Sequence, residues 1–183
     1  MDEQSLIKEA LAGNENAWDE LVKTYMKSAY YYSLKLTSGN AHEAEELSQD
    51  AFVQVYKNLK WFRSEAPFKN WLYKIITNLF INLRKRSARM KSLDSLKQEP
   101  VGITGPDFSG GAQSVLSGEF QSLVKDKMDS LPARQKAVLA LFTYEGLSLE
   151  EISRTLDISY ASVKMNLSLA RKRMREELKE YLK

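Results

Sequence analysis

Residues 92–113, S-L-D-S-L-K-Q-E-P-V-G-I-T-G-P-D-F-S-G-G-A-Q, hold two prolines and four glycines and show no helical period. A run this long and this poor in apolar residues cannot be buried inside one core, so it divides the 183-residue chain in two. Fully stretched, its 22 residues at about 3.3 Å each reach roughly 70 Å. On either side apolar residues recur every three or four positions, the period of helices that bury one face. The expectation is an all-α protein with one small helical domain over 1–91, a flexible linker over 92–113 and a second over 114–183.

Local stop and start signals divide each half into helices. Leu6, Ile7, Ala10 and Leu11 give a short helix stopped at Gly13-Asn14. Asn14 caps a longer one on which Trp18, Leu21, Val22, Tyr25, Ala29 and Tyr32 share a face. Ser38-Gly39-Asn40 ends it and begins another, with Asn40 and Glu43 spaced as a capping box. That third helix, about 41–58, buries Ala44, Leu47, Ala51 and Val55 and shows Glu43, Glu46 and Asp50 on another face, with Glu45 and Gln49 beside them. The plain reading is a solvated acidic face; the alternative is a docking surface for a basic partner helix.

The stretch from Trp61 to Arg86 packs rings, amides and cations into a loop and the helix after it. Ser64 is placed to cap that helix and Pro67 to occupy its first turn. Phe68, Leu72, Ile75, Ile76, Leu79 and Leu83 form the expected buried stripe. Asn70, Lys74, Asn78 and Lys85 fall on the opposite side, with Asn82 at its border. Amides can read base edges and cations bind phosphate, while Trp61, Phe62 and Phe68 flank Arg63 in a loop able to hold an unstacked base. The same pattern would also serve a core with a wet face.

In the second half, Phe120, Leu123, Val124 and Met128 resume the period from Val115. Ser130-Leu131-Pro132 opens a helix carrying Ala137, Val138, Leu141 and Phe142 that ends near Gly146. Ser148 and Glu151 form a capping box for a short helix with Ile152 and Leu156 inward. Ser159 then caps a last helix burying Val163, Leu167, Ala170, Met174 and Leu178. Two short helices joined by a tight turn, the second basic, make a helix-turn-helix; a three-helix bundle with no DNA role shares these periods.

The net charge of +3 conceals a split: residues 1–56 carry −6, 57–91 carry +9, 92–130 carry −3 and 131–183 carry +3. An acidic block followed by a basic one points to two partners, one basic and one polyanionic. The chain has no cysteine and one histidine, His42. There is no phosphate loop, dinucleotide fingerprint or Cys nucleophile, a Ser/His pair would rest on His42 alone, and carboxylates strung along one helix do not converge on a metal. No enzyme activity, metal or cofactor is expected. The start, Met-Asp-Glu-Gln-Ser, lacks the basic and apolar regions of a signal peptide, and no apolar run reaches the roughly 20 residues of a membrane span. The expected location is therefore cytoplasmic, and with the last helix near the final residue no further C-terminal domain is expected.

Together the strings G-N-E-N-A-W-D-E-L, E-A-E-E-L-S-Q-D-A-F-V-Q-V-Y and F-K-N-W-L-Y-K-I-I-T-N-L, followed by L-P-A-R-Q-K-A-V-L and E-G-L-S-L-E-E-I-S-R-T-L-D-I-S-Y-A-S-V-K, resemble a bacterial RNA polymerase sigma factor of the extracytoplasmic-function type. The resemblance covers nearly everything outside 92–113. It implies that Glu43, Glu45, Glu46, Gln49 and Asp50 dock on the β′ clamp helices of core RNA polymerase. It implies that Trp61, Phe62, Arg63 and Phe68 capture a base flipped from the promoter −10 element. Lys69, Asn70, Lys74, Asn78 and Asn82 would bind the same melted strand, and Arg84, Lys85, Arg86 and Arg89 the upstream phosphates. The linker would thread near the RNA exit path. The second domain would sit on the β flap and read the −35 element through Ser159, Tyr160, Ser162, Lys164, Met165, Ser168, Arg171 and Lys172. An anti-sigma factor is a further expected partner. The competing readings are a free-standing helix-turn-helix regulator, which leaves the acidic helix unexplained, and an RNA-binding or architectural protein using the basic block.

The last helix departs from the family string S-x-G-T-V-K-S-R-L-x-R-A-R: here it runs S-Y-A-S-V-K-M-N-L-S-L-A-R. Met165, Asn166, Ser168 and Leu169 stand where small polar or basic residues are common. An unusual promoter, or weaker dependence on the −35 element, is the expectation.

Overall fold

The computed structural model describes residues 2–94, 118–179 and 181, and among these every regular element is helical. The helices are α1 (Glu3–Leu11), α2 (Glu15–Leu36), α3 (Ala41–Asn58), α4 (Phe68–Asp94), α5 (Gly118–Asp129), α6 (Ala133–Thr143), α7 (Leu149–Leu156) and α8 (Tyr160–Leu178). A 3-10 turn, Leu59–Trp61, follows α3. The expected linker lies outside the described residues except for 92–94, which continue α4.

The caps follow the local chemistry. Asn14 accepts from the Asn16 and Ala17 amides, and Ser159 accepts from Ser162. Ser148 and Glu151 form the full reciprocal box. Gly39 at φ +81 allows the reversal after α2, which a side chain would strain. At Asn40 only half of the expected box forms: its side chain accepts from the Glu43 amide, but the Glu43 carboxylate turns to Arg84. Nor does Ser64 cap α4. It sits in the loop at φ 55, and the Phe68 amide, 65 residues along the chain, donates to the Glu3 carboxylate at 3.3 Å. Pro67 stands just before α4, its carbonyl accepting from Asn70 and Trp71.

In the first half, α2 packs on α1, α3 and α4, and α3 on α4. Leu21, Ala29, Tyr32, Leu36, Ala51, Val55, Phe68, Leu72 and Ile76 are fully buried there. The Tyr32 hydroxyl meets Thr77 Oγ1 at 2.7 Å inside this core, and burial pushes it well above its ordinary pKa. In the second half α8 packs against α5, α6 and α7 around Val138, Leu141, Ile152, Val163 and Leu167.

The α4 stripe differs from its expected composition. Tyr73, Thr77 and Phe80 are buried, Ile75 and Leu79 are half-buried, and Leu83 is exposed. The helix outruns its bundle at this point, for the side chains from Lys85 to Met90 are exposed or half-exposed. Tyr73 and Phe80 are covered because the two halves touch: α4 packs on α6 and α7, and α2 on α6.

Candidate nucleic-acid interface

The loop between the 3-10 turn and α4 stands on stacked rings. Phe68 is fully buried, 4.9 Å from Tyr25, 5.6 Å from Phe62 and 5.7 Å from Trp71 between ring centres. Phe62 is half-buried and tilts against Trp71 at 5.2 Å. Edge-on and tilted arrangements of this kind are the favoured aromatic geometries and fix the rings in place. Glu3 completes the base: besides capping α4 it accepts from the Tyr25 hydroxyl, whose pKa is raised by burial and by that carboxylate. Phe68 therefore belongs to the core beneath the loop, not to a surface that could hold a base. Trp61 is the free ring at 67% exposure, with Lys60 Nζ 5.4 Å from its centre, and Arg63 is exposed beside it.

Along α4 the expected contact residues separate into free and engaged groups. Asn78, Asn82, Lys85 and Arg86 are exposed and make no side-chain hydrogen bond or ion pair among the described residues. Asn70 is half-buried. Lys69 pairs with Glu145 at 3.2 Å and Lys74 with Asp157 at 3.8 Å. Arg84 lies 5.1 Å over the Phe80 ring and forks Glu43 through two bonds of 3.3 and 2.9 Å. Glu43 and Arg84, expected to serve different partners, are thus spent on each other. The rest of the acidic ridge is outward: Glu45, Glu46, Gln49 and Asp50 are all exposed.

In the second half the turn between α7 and α8 is set by Asp157 in the left-handed region at φ 54 and by a 2.6 Å bond from Ser153 Oγ to the Ile158 carbonyl. Ser159 and Ser162 are occupied with the cap, their hydroxyls 2.8 Å apart. Tyr160, Lys164, Met165, Ser168, Arg171 and Lys172 line one exposed face of α8. Arg171 lies 4.7 Å over Phe142, and Lys172 reaches Glu176 at 3.9 Å. Asn166 turns inward and donates to the Ser162 carbonyl at 2.8 Å.

Sequence reasoning missed the residues that hold the halves together. Lys136 is buried and donates to Ser38 Oγ at 2.6 Å and Asp129 Oδ1 at 2.7 Å. Burial lowers its pKa, with Asp129 acting in the opposite sense. Tyr73 donates to Glu145 at 2.5 Å. Burial and that carboxylate push the phenol far above its ordinary range. A lysine at an apolar helical position is the one signal that could have exposed this contact. Among the described residues there is no cluster of three potential metal ligands and no helix long and apolar enough to cross a membrane.

Comparison with known proteins gives this geometry a family. Residues 21–90 match Sigma-70 region 2, and residues 122–174 match Sigma-70 region 4. The ECF RNA polymerase sigma factor SigE of Mycolicibacterium smegmatis is 30% identical over 165 residues, covering 90% of this chain and 63% of the relative. SigW of Bacillus subtilis, also an ECF RNA polymerase sigma factor, is 30% identical over 179 residues, 95% of each chain. The fold is similar to that of RpoE from Bartonella quintana, solved in complex with the anti-sigma factor NepR, with a TM-score of 0.64 at 23% identity over 88% of this chain and 96% of that one. Two regions in family order, and a relative aligned along nearly its whole length, place this chain among the extracytoplasmic-function RNA polymerase sigma factors.

Proposed function

We propose that the chain, as a sigma factor without catalytic activity of its own, binds core RNA polymerase through α3 and opens promoter DNA with the adjoining face of α4. The observation that carries this is one juxtaposition. Glu45, Glu46, Gln49 and Asp50 are exposed on α3, while α4, packed against it, presents Asn78, Asn82, Lys85 and Arg86 outward. The acidic ridge suits a basic partner helix such as the β′ clamp helices; the amides and cations suit a single strand. Trp61 and Arg63 take a flipped base against the rigid pedestal below them, while Phe62 and Phe68 shape that pedestal. Melting costs a few kcal/mol per unstacked step, offset by stacking and phosphate contacts.

The second half reads the −35 duplex with the exposed face of α8 and rests on the β flap. The first domain is assigned residues 1–91, the linker 92–113 and the second domain 114–183. The site of action is the cytoplasm, where the polymerase works. An anti-sigma factor is a proposed partner, as NepR is for RpoE in its solved complex. Duplex binding without polymerase would leave the α3 ridge without a role.

The test is charge reversal at Glu46→Lys with Asp50→Lys, read by pull-down of core polymerase and by run-off transcription. Both are expected to fall together. Unchanged association and transcript yield would overturn the assignment of α3.

A further inference from the structure

The match to Sigma-70 region 2 begins at residue 21, and α1 lies ahead of it with no task yet given. Nevertheless α1 is firmly packed. Leu6 and Ile7 are buried, and the helix rests on α2 and on the 3-10 turn that carries Trp61. Asp2 caps α1 by accepting from the Ser5 amide. Glu3, in the first turn, is thereby left for another use, and first-turn side chains lean back beyond the helix N-terminus. Its Oε1 accepts from the Phe68 amide at 3.3 Å and its Oε2 from the Tyr25 hydroxyl. These are the only bonds of that carboxylate among the described residues.

The start of α4 has no such group of its own. Its first turn contains no acidic residue, and Pro67 before it lacks an N–H. A helix N-terminus leaves amides unpaired and carries partial positive charge, and a carboxylate answers both. The Phe68 that receives it is also the ring on which Phe62 and Trp71 lean. So α1 grips the loop of residues 62–67 at both ends, by packing on the 3-10 turn before it and by the Glu3–Phe68 bond after it.

We infer that Glu3 is a positioning residue for base capture: through its carboxylate, α1 holds the segment carrying Trp61 and Arg63 in the shape that receives the flipped base. This rests on the base-capture reading given above. A segment fixed in advance spares the incoming strand the cost of ordering it, whereas one released at its far end must be ordered on binding. Glu3 touches neither the acidic ridge of α3 nor the exposed face of α8, so its effect is confined to the −10 strand.

The test uses holoenzyme on forked promoter DNA carrying 2-aminopurine at each −10 position in turn. The position whose fluorescence rises on binding marks the flipped base, and its intensity at saturation reports how that base is held. Glu3→Ala should leave association with core polymerase unchanged, alter that intensity and weaken strand affinity about 2- to 12-fold, the cost of ordering one further side chain. Glu3→Gln keeps an oxygen for the Phe68 amide and an N–H for the Tyr25 oxygen, and should restore the intensity and most of the affinity. If Glu3 served stability alone, Glu3→Ala would lower the melting temperature of the free chain and leave the saturated intensity as it was. Where Glu3→Ala impairs folding, Tyr25→Phe decides the question. It keeps the ring against Phe68, frees one oxygen of the carboxylate, and should shift the intensity in the same direction by less. An unaltered intensity in the folded variant, or no recovery in Glu3→Gln, overturns the inference. Trp61→Ala on the same templates tests the base-capture reading separately. If it leaves the intensity unaltered, that reading fails and the inference with it; if it alters the intensity and Glu3→Ala does not, the inference alone fails.

Discussion

Trp61 and Phe68 lie seven residues apart in one aromatic loop, yet the structure gives them opposite environments. Phe68→Ala would delete a ring that is 0% exposed and touches three others, with centres 4.9 to 5.7 Å away. Truncating a buried Phe costs about 3–5 kcal/mol, through lost transfer energy and the cavity left behind. Domains of this kind hold only about 5–15 kcal/mol in all. At about 4–8 °C per kcal/mol for a domain of 60–100 residues, the melting temperature should fall by roughly 12 °C or more. Trp61→Ala removes a ring that is 67% exposed, so stability should change by no more than about 0.5 kcal/mol. Its loss should appear instead in binding. Stacking contributes about 1–3 kcal/mol per base, so holoenzyme affinity for a forked −10 strand should drop about 5- to 150-fold. Urea and thermal unfolding of the free chain, with anisotropy on the forked template, measure both sides. A Phe68→Ala cost below about 1 kcal/mol, far under the range for a buried ring, would refute the pedestal. Unaltered strand affinity in Trp61→Ala would refute the base contact.

The Glu43–Arg84 fork is half-buried, with side chains 30% and 34% exposed. A double-mutant cycle with Glu43→Gln and Arg84→Gln should give a coupling near 1 kcal/mol, between exposed pairs and buried charged hydrogen bonds. Additive urea midpoints would show no coupling. Hydrogen bonds from the Ser148 backbone and side chain hold the Glu151 carboxyl below its ordinary value of 4.5. A group lowered on folding stabilises α7 above the unfolded value and loses that effect as pH falls through the folded one. The Ser148 amide shift should titrate with a midpoint below pH 4.5, and not at all in Glu151→Gln; a midpoint at or above the ordinary value would dismiss the box. Lys164→Ala on the exposed face of α8 should weaken holoenzyme binding to templates with a matched −35 duplex, and equal affinity for matched and scrambled duplexes would reject that contact.

Much of the fold was legible because its signals are local. Asn14, Ser148, Ser159 and Gly39 act within four residues of where they stand, so spacing alone finds them. The acidic ridge of α3 and the amide row of α4 follow from the 3.6-residue period in the same way. What stayed hidden involves partners distant in sequence. Nothing near Phe68 announces that its amide is capped by Glu3, and nothing near Glu43 announces Arg84. The misjudged end of the α4 stripe has the same origin. Periodicity says which side of a helix is apolar but not where its neighbours stop, so Leu83 remains exposed while Tyr73 and Phe80 are covered by the second half.

The inward turn of Asn166 changes what α8 can discriminate. Of the four side chains that depart from the family string, the one amide able to pair with adenine is tied to its own helix. Facing outward are a thioether, a hydroxyl and an isobutyl group at Met165, Ser168 and Leu169, none able to make a two-pronged bond to a base. On the proposed −35 reading, these three positions can select only through thymine methyl groups and groove shape, which leaves two-pronged contacts to Lys164, Arg171 and Lys172 on the same exposed face.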